Sequence, residues 1–290
     1  RRSVRHNARE VMRYGRLIAW IFASIAWANA QPNVVIVMTD DQGYGDLSCH
    51  GNPVLKTPNL DRLWSEAVRL TDYHVSPTCA PTRGALLTGR YTNRVGTWHT
   101  INGRSILRQG EVILAEPFAK AGYATAMFGK WHLGDNYPSR AEDHGFQEVL
   151  RHGGGGIGQT PDFWDNAYFD GTYLHNGKPE PVKGYCTDVF FNAAMAFITA
   201  QAKAKKPFLV YLATNAPHGP MHAPEEFAAP YASLGTHVAH FLGMIANIDA
   251  NVGRLMKLLD SEGLTKDTIL VFTTDNGTSS GDKVFNGGMR

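Results

Sequence analysis

Cysteine is scarce, with only Cys49, Cys79 and Cys186 in 290 residues. Three are too few for a disulfide framework, and their spacing is not that of a zinc finger. No run of about twenty apolar residues occurs, so no membrane-spanning helix is expected. A strong charge of one sign is also lacking. The net charge is +2, and the basic excess sits in residues 1–30, which hold six arginines against Glu10. Residues 31–290 keep 22 basic and 25 acidic side chains, so no basic body remains to attract nucleic acid or an anionic membrane. Gly-x-Ser-x-Gly and His-Glu-x-x-His are absent. Gly122–Lys130 has the wrong glycine spacing for a P-loop, and Trp131 stands where Ser or Thr should follow the lysine. What is present is a composition of 43% hydrophobic and 11% aromatic residues, which excludes a disordered chain. A chain of this length buries about three-quarters of its unfolded surface, so a large core is available.

The first thirty residues read as an address. Arg13-Tyr14-Gly15-Arg16 is basic, Leu17–Trp27 is apolar, and Ala28-Asn29-Ala30 is a small-x-small cleavage site. That order is the pattern of a secretory signal peptide, with Met12 as its start. The expectation is a mature protein beginning near Gln31 and exported to the periplasm or beyond the cell. Residues 1–30 are then leader and upstream sequence, and residues 31–290 the working domain.

Four apolar runs each end in chemistry. Asn33–Met38 leads to Asp40 and Asp41, and Ala124–Phe128 to Lys130 and His132. Phe208–Ala213 leads to His218, and Thr268–Thr273 to Asp275 and Asn276. Short β-branched runs suit buried parallel strands. Helical patterns lie between them: Thr57–Val68 with Pro58 at its start, Glu111–Ala121, Cys186–Lys203 and Thr236–Glu262. The alternation predicts an α/β fold with a mainly parallel central sheet flanked by helices. Such sheets bind ligands outside the carboxyl ends of their strands, which gathers these polar residues at one edge. Three carboxylates and an amide oxygen form a hard-oxygen set suited to Ca²⁺ or Mg²⁺. Lys130 could neutralise an anion, and His132 or His218 could move a proton. The combination reads as metal-assisted transfer of an oxyanion such as phosphate or sulfate.

One segment is more specific. Ser76-Pro-Thr-Cys79-Ala-Pro81-Thr82-Arg83-Gly-Ala-Leu-Leu87-Thr88-Gly89-Arg90 resembles the signature of the type I sulfatases, of arylsulfatase kind. The resemblance implies the alkaline-phosphatase-like fold and a sulfuric ester hydrolase. It implies that Cys79 is oxidised by a maturation enzyme to formylglycine (3-oxoalanine). It also implies that Asp40, Asp41, Asp275 and Asn276, with residue 79, bind Ca²⁺. Arg83 would steady residue 79, while Lys130, His132 and His218 would contact the sulfate or move protons. In the implied mechanism the hydrated aldehyde attacks sulfur and His218 protonates the leaving alcohol. His132 then deprotonates the second hydroxyl to release sulfate; the two histidine roles are interchangeable at this stage. Pro81 suits the first turn of a helix opening at Cys79, whose positive N-terminal end favours anions.

The family's second active-site lysine would follow the Asn286-Gly-Gly-Met289-Arg290 stretch, and a smaller C-terminal domain would come later. The chain is therefore expected to be a fragment of low activity. Two other readings stay open: a phosphatase or phosphodiesterase of the same superfamily, and an exported protein that captures sulfated glycans without cleaving them. Either an aryl or a carbohydrate sulfate would serve as substrate. Trp98, His99, Trp164, Tyr168 and Tyr173 fall in loop-like stretches, as sugar-stacking platforms or as core. His152–Gly158 reads as a flexible glycine loop, and the glycosylation sequon at Asn276-Gly277-Thr278 as a chance match. Pairing of Cys49 with Cys186 is left open.

Overall fold

The computed structural model describes residues 31–289, so the expected leader lies outside the described residues. By its contacts the chain divides into Arg1–Pro32 and Asn33–Arg290, and the described sheet and helices belong to the second unit. None of the described helices is long and apolar enough to cross a membrane.

A seven-stranded sheet runs through the unit in the order β5-β4-β3-β2-β6-β1-β7. β1 (Asn33–Thr39), β2 (Ala124–Gly129), β6 (Phe208–Ala213) and β7 (Thr268–Thr274) are the four apolar runs. β1 lies parallel between β6 and β7, and β2 parallel between β6 and β3 (Glu148–Arg151). β4 (Thr172–His175) and β5 (Lys178–Pro181) extend the β3 edge in antiparallel fashion. These last two strands are short and carry no apolar run. Their hairpin turns at Asn176-Gly177, with φ of 49° and 79°, a left-handed pair that those two residue types tolerate best.

Side chains alternate across the sheet as strand geometry requires. Val35 and Val37 face one side, where α4 (Cys186–Ala204) contributes Phe190 and Phe191 and α5 (Thr236–Ser261) contributes Met244, Ile248 and Val252. Ile36 and Met38 face the other, against Ala80 and Leu87 of α2 (Cys79–Thr88), Ala115 of α3 (Ala115–Lys120) and Trp131. Both faces are covered, so the central strands are apolar throughout.

The two long helices fall where their periodicity placed them. α1 (Pro58–Glu66) stops two residues early, and Thr57 gives its hydroxyl to the Asp61 carboxylate rather than to a cap. The segment before α3 is not helical from Glu111, whose carboxylate is taken by Arg90 at 2.5 Å, while the Leu114 amide donates to the Leu87 carbonyl at 2.6 Å.

Gly129 closes β2 at φ 104°, and a methyl group there would collide with the Ala213 carbonyl of the neighbouring strand. Gly129→Ala should therefore lower stability by about 2–6 kcal/mol through left-handed strain plus overpacking. Gly177→Ala, at φ 79° with open space around it, should cost only about 1–2 kcal/mol. Urea unfolding at constant m-value reads the difference, and equal losses would contradict this account.

Candidate active site

Because β1, β2, β6 and β7 run parallel, their carboxyl ends share one edge. Thr39 sits opposite Thr274, and Ala213 sits between Met38 and Gly129. The residues one step further are held in line by backbone hydrogen bonds. Asp275 N donates to Thr39 O at 3.1 Å, Thr214 N to Met38 O at 2.9 Å, and Lys130 N to Ala213 O at 2.7 Å. Asp40, Asp275 and Lys130 are thus neighbours, although up to 235 residues separate them in sequence.

The chemistry of the cluster is a balance of buried charge. The Lys130 ammonium donates to the Asp40 carboxylate. From α2, Arg83 directs Nε and Nη2 to Asp275 Oδ2 at 3.1 and 2.7 Å, and Nη1 to the Lys130 carbonyl at 3.1 Å. Its Nη2 also lies 3.6 Å from Asp40 Oδ1. All four of these side chains are fully buried. An isolated ion here would cost several kcal/mol, so each requires its opposite. Gly84 lets α2 come this close, since any side chain there would strike Thr97.

Cys79 opens α2 with its thiol inside the cluster. Its Sγ and one oxygen each of Asp40 and Asp275 lie within 4.8 Å of one another. Asn276 Nδ2 stands 3.5 Å from that sulfur and 3.0 Å from Asp41 Oδ1. Asp41, in the left-handed region at φ 64°, donates its amide to Asp275 Oδ1 at 3.3 Å.

Titration behaviour follows from these neighbours. Burial pushes the Cys79 thiol far up, and the Asp40 charge adds to it. Burial alone would raise Asp40, but Lys130 and then Arg83 outweigh it and hold that carboxyl low. Asp275 is raised to about 6 by burial and by the Asp40 charge, which Arg83 and Lys130 offset only in part. His132 is lowered to about 2 by burial, then by Lys130 and Arg83, and is therefore neutral. Its Nε2 bonds the Thr100 carbonyl at 3.0 Å. A carbonyl only accepts, so the proton sits on Nε2 and the buried, unpartnered Nδ1 carries the lone pair. The same reasoning protonates Nδ1 of His218, 2.7 Å from the Gly219 carbonyl. His218 Nε2 then faces Asp41 Oδ2 at 3.9 Å.

A divalent cation fits this donor set. Asp40 Oδ1 and Asn276 Oδ1 are buried with no hydrogen-bond partner, and the carboxylates of Asp40 and Asp275 crowd each other. Hard cations take this kind of oxygen ligand, and a bound cation would relieve the repulsion between the two carboxylates.

Several sequence expectations need correction. The His152–Gly158 run is not a loose loop: His152, Gly153 and Gly154 are buried, and a methyl group on Gly155 would lie 2.6 Å from the His132 ring. His152 itself escaped the sequence reading. It is buried directly after β3, donates Nδ1–H to Gly153 O at 2.7 Å, and leaves Nε2 unpartnered. Burial lowers it to about 4. The signal was a fifth strand end at the same edge, hidden because Glu148–Arg151 is not apolar. Of the two readings left open for Tyr168 and Tyr173, burial in the core is the one found. Tyr168 donates its hydroxyl to the His218 and Gly219 carbonyls at 2.6 and 2.9 Å, fixing the histidine loop. The open question of Cys49 and Cys186 is answered: both are free thiols.

In metal-free protein the raised Asp275 carboxyl keeps its proton in the folded state up to about pH 6. Its unfolded value is near 3.8 and its folded value about 6, so it favours folding fully below about 4. That contribution is lost as pH rises through 6. In EDTA, stability should fall between pH 4 and 6, and Asp275→Asn should flatten that fall. An unchanged slope in the variant would show that Asp275 is not the titrating group.

The sulfatase family model matches residues 32–290. The N-acetylgalactosamine-6-sulfatase of Rattus norvegicus is 33% identical over 288 residues, covering 88% of this chain and 51% of its own length. The arylsulfatase of Klebsiella aerogenes is 30% identical, covering 90% and 70%. The crystal structure of Ps i-CgsB superposes with a TM-score of 0.78 at 29% identity, covering 86% of this chain and 59% of that one. Its complex with k-i-k-neocarrahexaose superposes at 0.76, with 28% identity and the same coverage. The chain spans about half the length of the N-acetylgalactosamine-6-sulfatases it matches. The sheet is of the alkaline-phosphatase-like kind, and with its Cys79 helix seated at the strand ends the chain belongs to the sulfatase family.

Proposed function

We propose that the protein hydrolyses sulfate monoesters of sugars or aryl alcohols, with Cys79 converted to formylglycine. The observation that carries this is the meeting of Cys79 with Asp40 and Asp275 within 4.8 Å, beside two buried cations. Ca²⁺, or Mg²⁺ in its place, would be held by Asp40, Asp41, Asp275, Asn276 and residue 79. Bound there, the ion supplies positive charge for an anionic reaction centre, and the oxidised side chain supplies the nucleophile.

The chain's own residues have distinct tasks. Arg83 locks Asp275 in place behind residue 79. Lys130 offers the only ammonium in the buried cluster, to balance charge on the sulfate as well as on Asp40. His132, neutral and with a free Nδ1, is built to accept a proton. His218, partly open to solvent with Nε2 beside Asp41, is placed to hold a proton for the leaving oxygen.

Around the site we infer export, supported by the residue pattern of 13–30, and a maturation enzyme that oxidises Cys79. Relatives act in name on sulfated amino sugars and aryl sulfates, and Ps i-CgsB binds an oligosaccharide, which supports carbohydrate sulfates as one substrate class.

Protein coexpressed with a maturation enzyme should titrate two thiols after denaturation instead of three. It should turn over 4-nitrophenyl sulfate faster than 4-nitrophenyl phosphate. Cys79→Ala should abolish turnover, and Ca²⁺ at a hundredfold excess over its Kd should stabilise the fold by about 2.7 kcal/mol. Preference for the phosphate, or a third thiol in active protein, would overturn the proposal.

A further inference from the structure

No side chain of the loop from Thr97 to Leu107 has a task in the chemistry above, yet the loop is tied to the site. Thr100 lends its carbonyl to His132 Nε2 at 3.0 Å, and Leu107 N donates to Leu133 O at 2.9 Å. Between these ties the chain reverses at Asn102-Gly103, with φ of 57° and 74°, and Arg104 N donates to Ile101 O at 3.1 Å. His99 N donates to Arg104 O at 3.1 Å, which brings the two arms of the turn together. The loop is therefore a hydrogen-bonded hairpin turn tied to a residue of the active site.

At its face stand an aromatic ring and a cation. The Arg104 guanidinium lies 4.7 Å from the centre of the Trp98 ring. Trp98 is 50% exposed, although indole is among the side chains that gain most from burial. Among the described residues the Arg104 guanidinium has no hydrogen-bond or ion-pair partner, and its planar fork matches an oxyanion. Ring contact holds the guanidinium in place, so little ordering entropy is lost when it takes a ligand. Trp98 is two residues from Thr100, whose carbonyl bonds His132, a backbone span of at most about 7 Å.

Resting on the sulfatase reading, we propose that Trp98 and Arg104 form a recognition point for a neighbouring sugar that carries a second anionic group. The indole takes the C–H face of the sugar ring, and the guanidinium takes its sulfate or carboxylate. The substrate class is then a polyanionic oligosaccharide, cleaved in preference to an isolated aryl sulfate.

The test compares two substrates on matured protein: 4-nitrophenyl sulfate, which carries no neighbouring sugar and no second anionic group, and a tetrasaccharide sulfated on neighbouring sugars. Arg104→Gln and Trp98→Ala should each raise KM for the tetrasaccharide about tenfold, with kcat little changed. Both should leave kcat/KM for the aryl sulfate within about twofold. Arg104→Lys should restore part of the loss, because it keeps the charge without the fork. Trp98→Phe serves if the alanine variant does not fold. Equal losses on both substrates would mean the hairpin acts only by supporting His132, and no loss on either would remove the subsite; each outcome overturns the proposal. If the wild type cleaves neither substrate, the sulfatase reading fails by itself. Titrating the tetrasaccharide and its desulfated counterpart into Cys79→Ala protein then decides the subsite alone. Arg104→Gln should weaken binding of the first about tenfold and leave the second unchanged, and equal binding by both proteins would reject it.

Discussion

The strand edge is held by opposition of charge inside a closed space. Asp40 and Asp275 lie side by side with no access to water, and neither could remain ionised there without Lys130 and Arg83. The converse holds for the two cations. Desolvation makes every member of the set dependent on the rest, and that dependence fixes their positions more tightly than packing of apolar groups would. The balance is still incomplete, since Asp275 retains a raised carboxyl and two oxygens lack partners. A site short of positive charge, with hard donors exposed to one another, is prepared for a divalent cation.

Around this core the remaining parts are positioned by backbone. Parallel pairing sets Thr39 against Thr274 and Ala213 against Met38, so the residues just beyond them arrive together at the edge. Close approaches at Gly129, Gly84 and Gly155 bring the neighbouring segments within reach, and each excludes a side chain by collision. Carbonyls then choose the histidine tautomers: the Thr100 carbonyl accepts from Nε2–H of His132, and the Gly219 carbonyl from Nδ1–H of His218. The chain spends few side chains on chemistry and many main-chain groups on holding them.

Much of this was legible beforehand where one residue type carries its own physical consequence. β-Branched runs ending in Asp, Lys or Asn announced strands and a polar edge, and the Cys79–Arg90 stretch announced the helix and the family. Short strands were not legible. Glu148–Arg151 and the hairpin after it have no apolar pattern, because they lie toward an edge of the sheet and draw their stability from neighbours. His152 stayed hidden with them, and the glycine run beside it looked loose because glycine signals freedom in sequence and close contact in a packed fold. Tyr168 was ambiguous for a similar reason: an aromatic residue in a loop is a platform or a prop depending on what lies above it.

The amino-acid sequence alone determined the fold class, the four principal strands, the two long helices and the list of residues with chemistry to offer, since each follows from local periodicity or from a residue's own functional groups. Only the tertiary structure decided that Arg83 and Lys130 divide two aspartates between them, that His132 is neutral with its lone pair on Nδ1, and that Cys49 and Cys186 stand apart. Those outcomes depend on burial and on distances between segments far apart in the chain. Desolvation and Coulomb energy act through space, so no reading along the chain contains them.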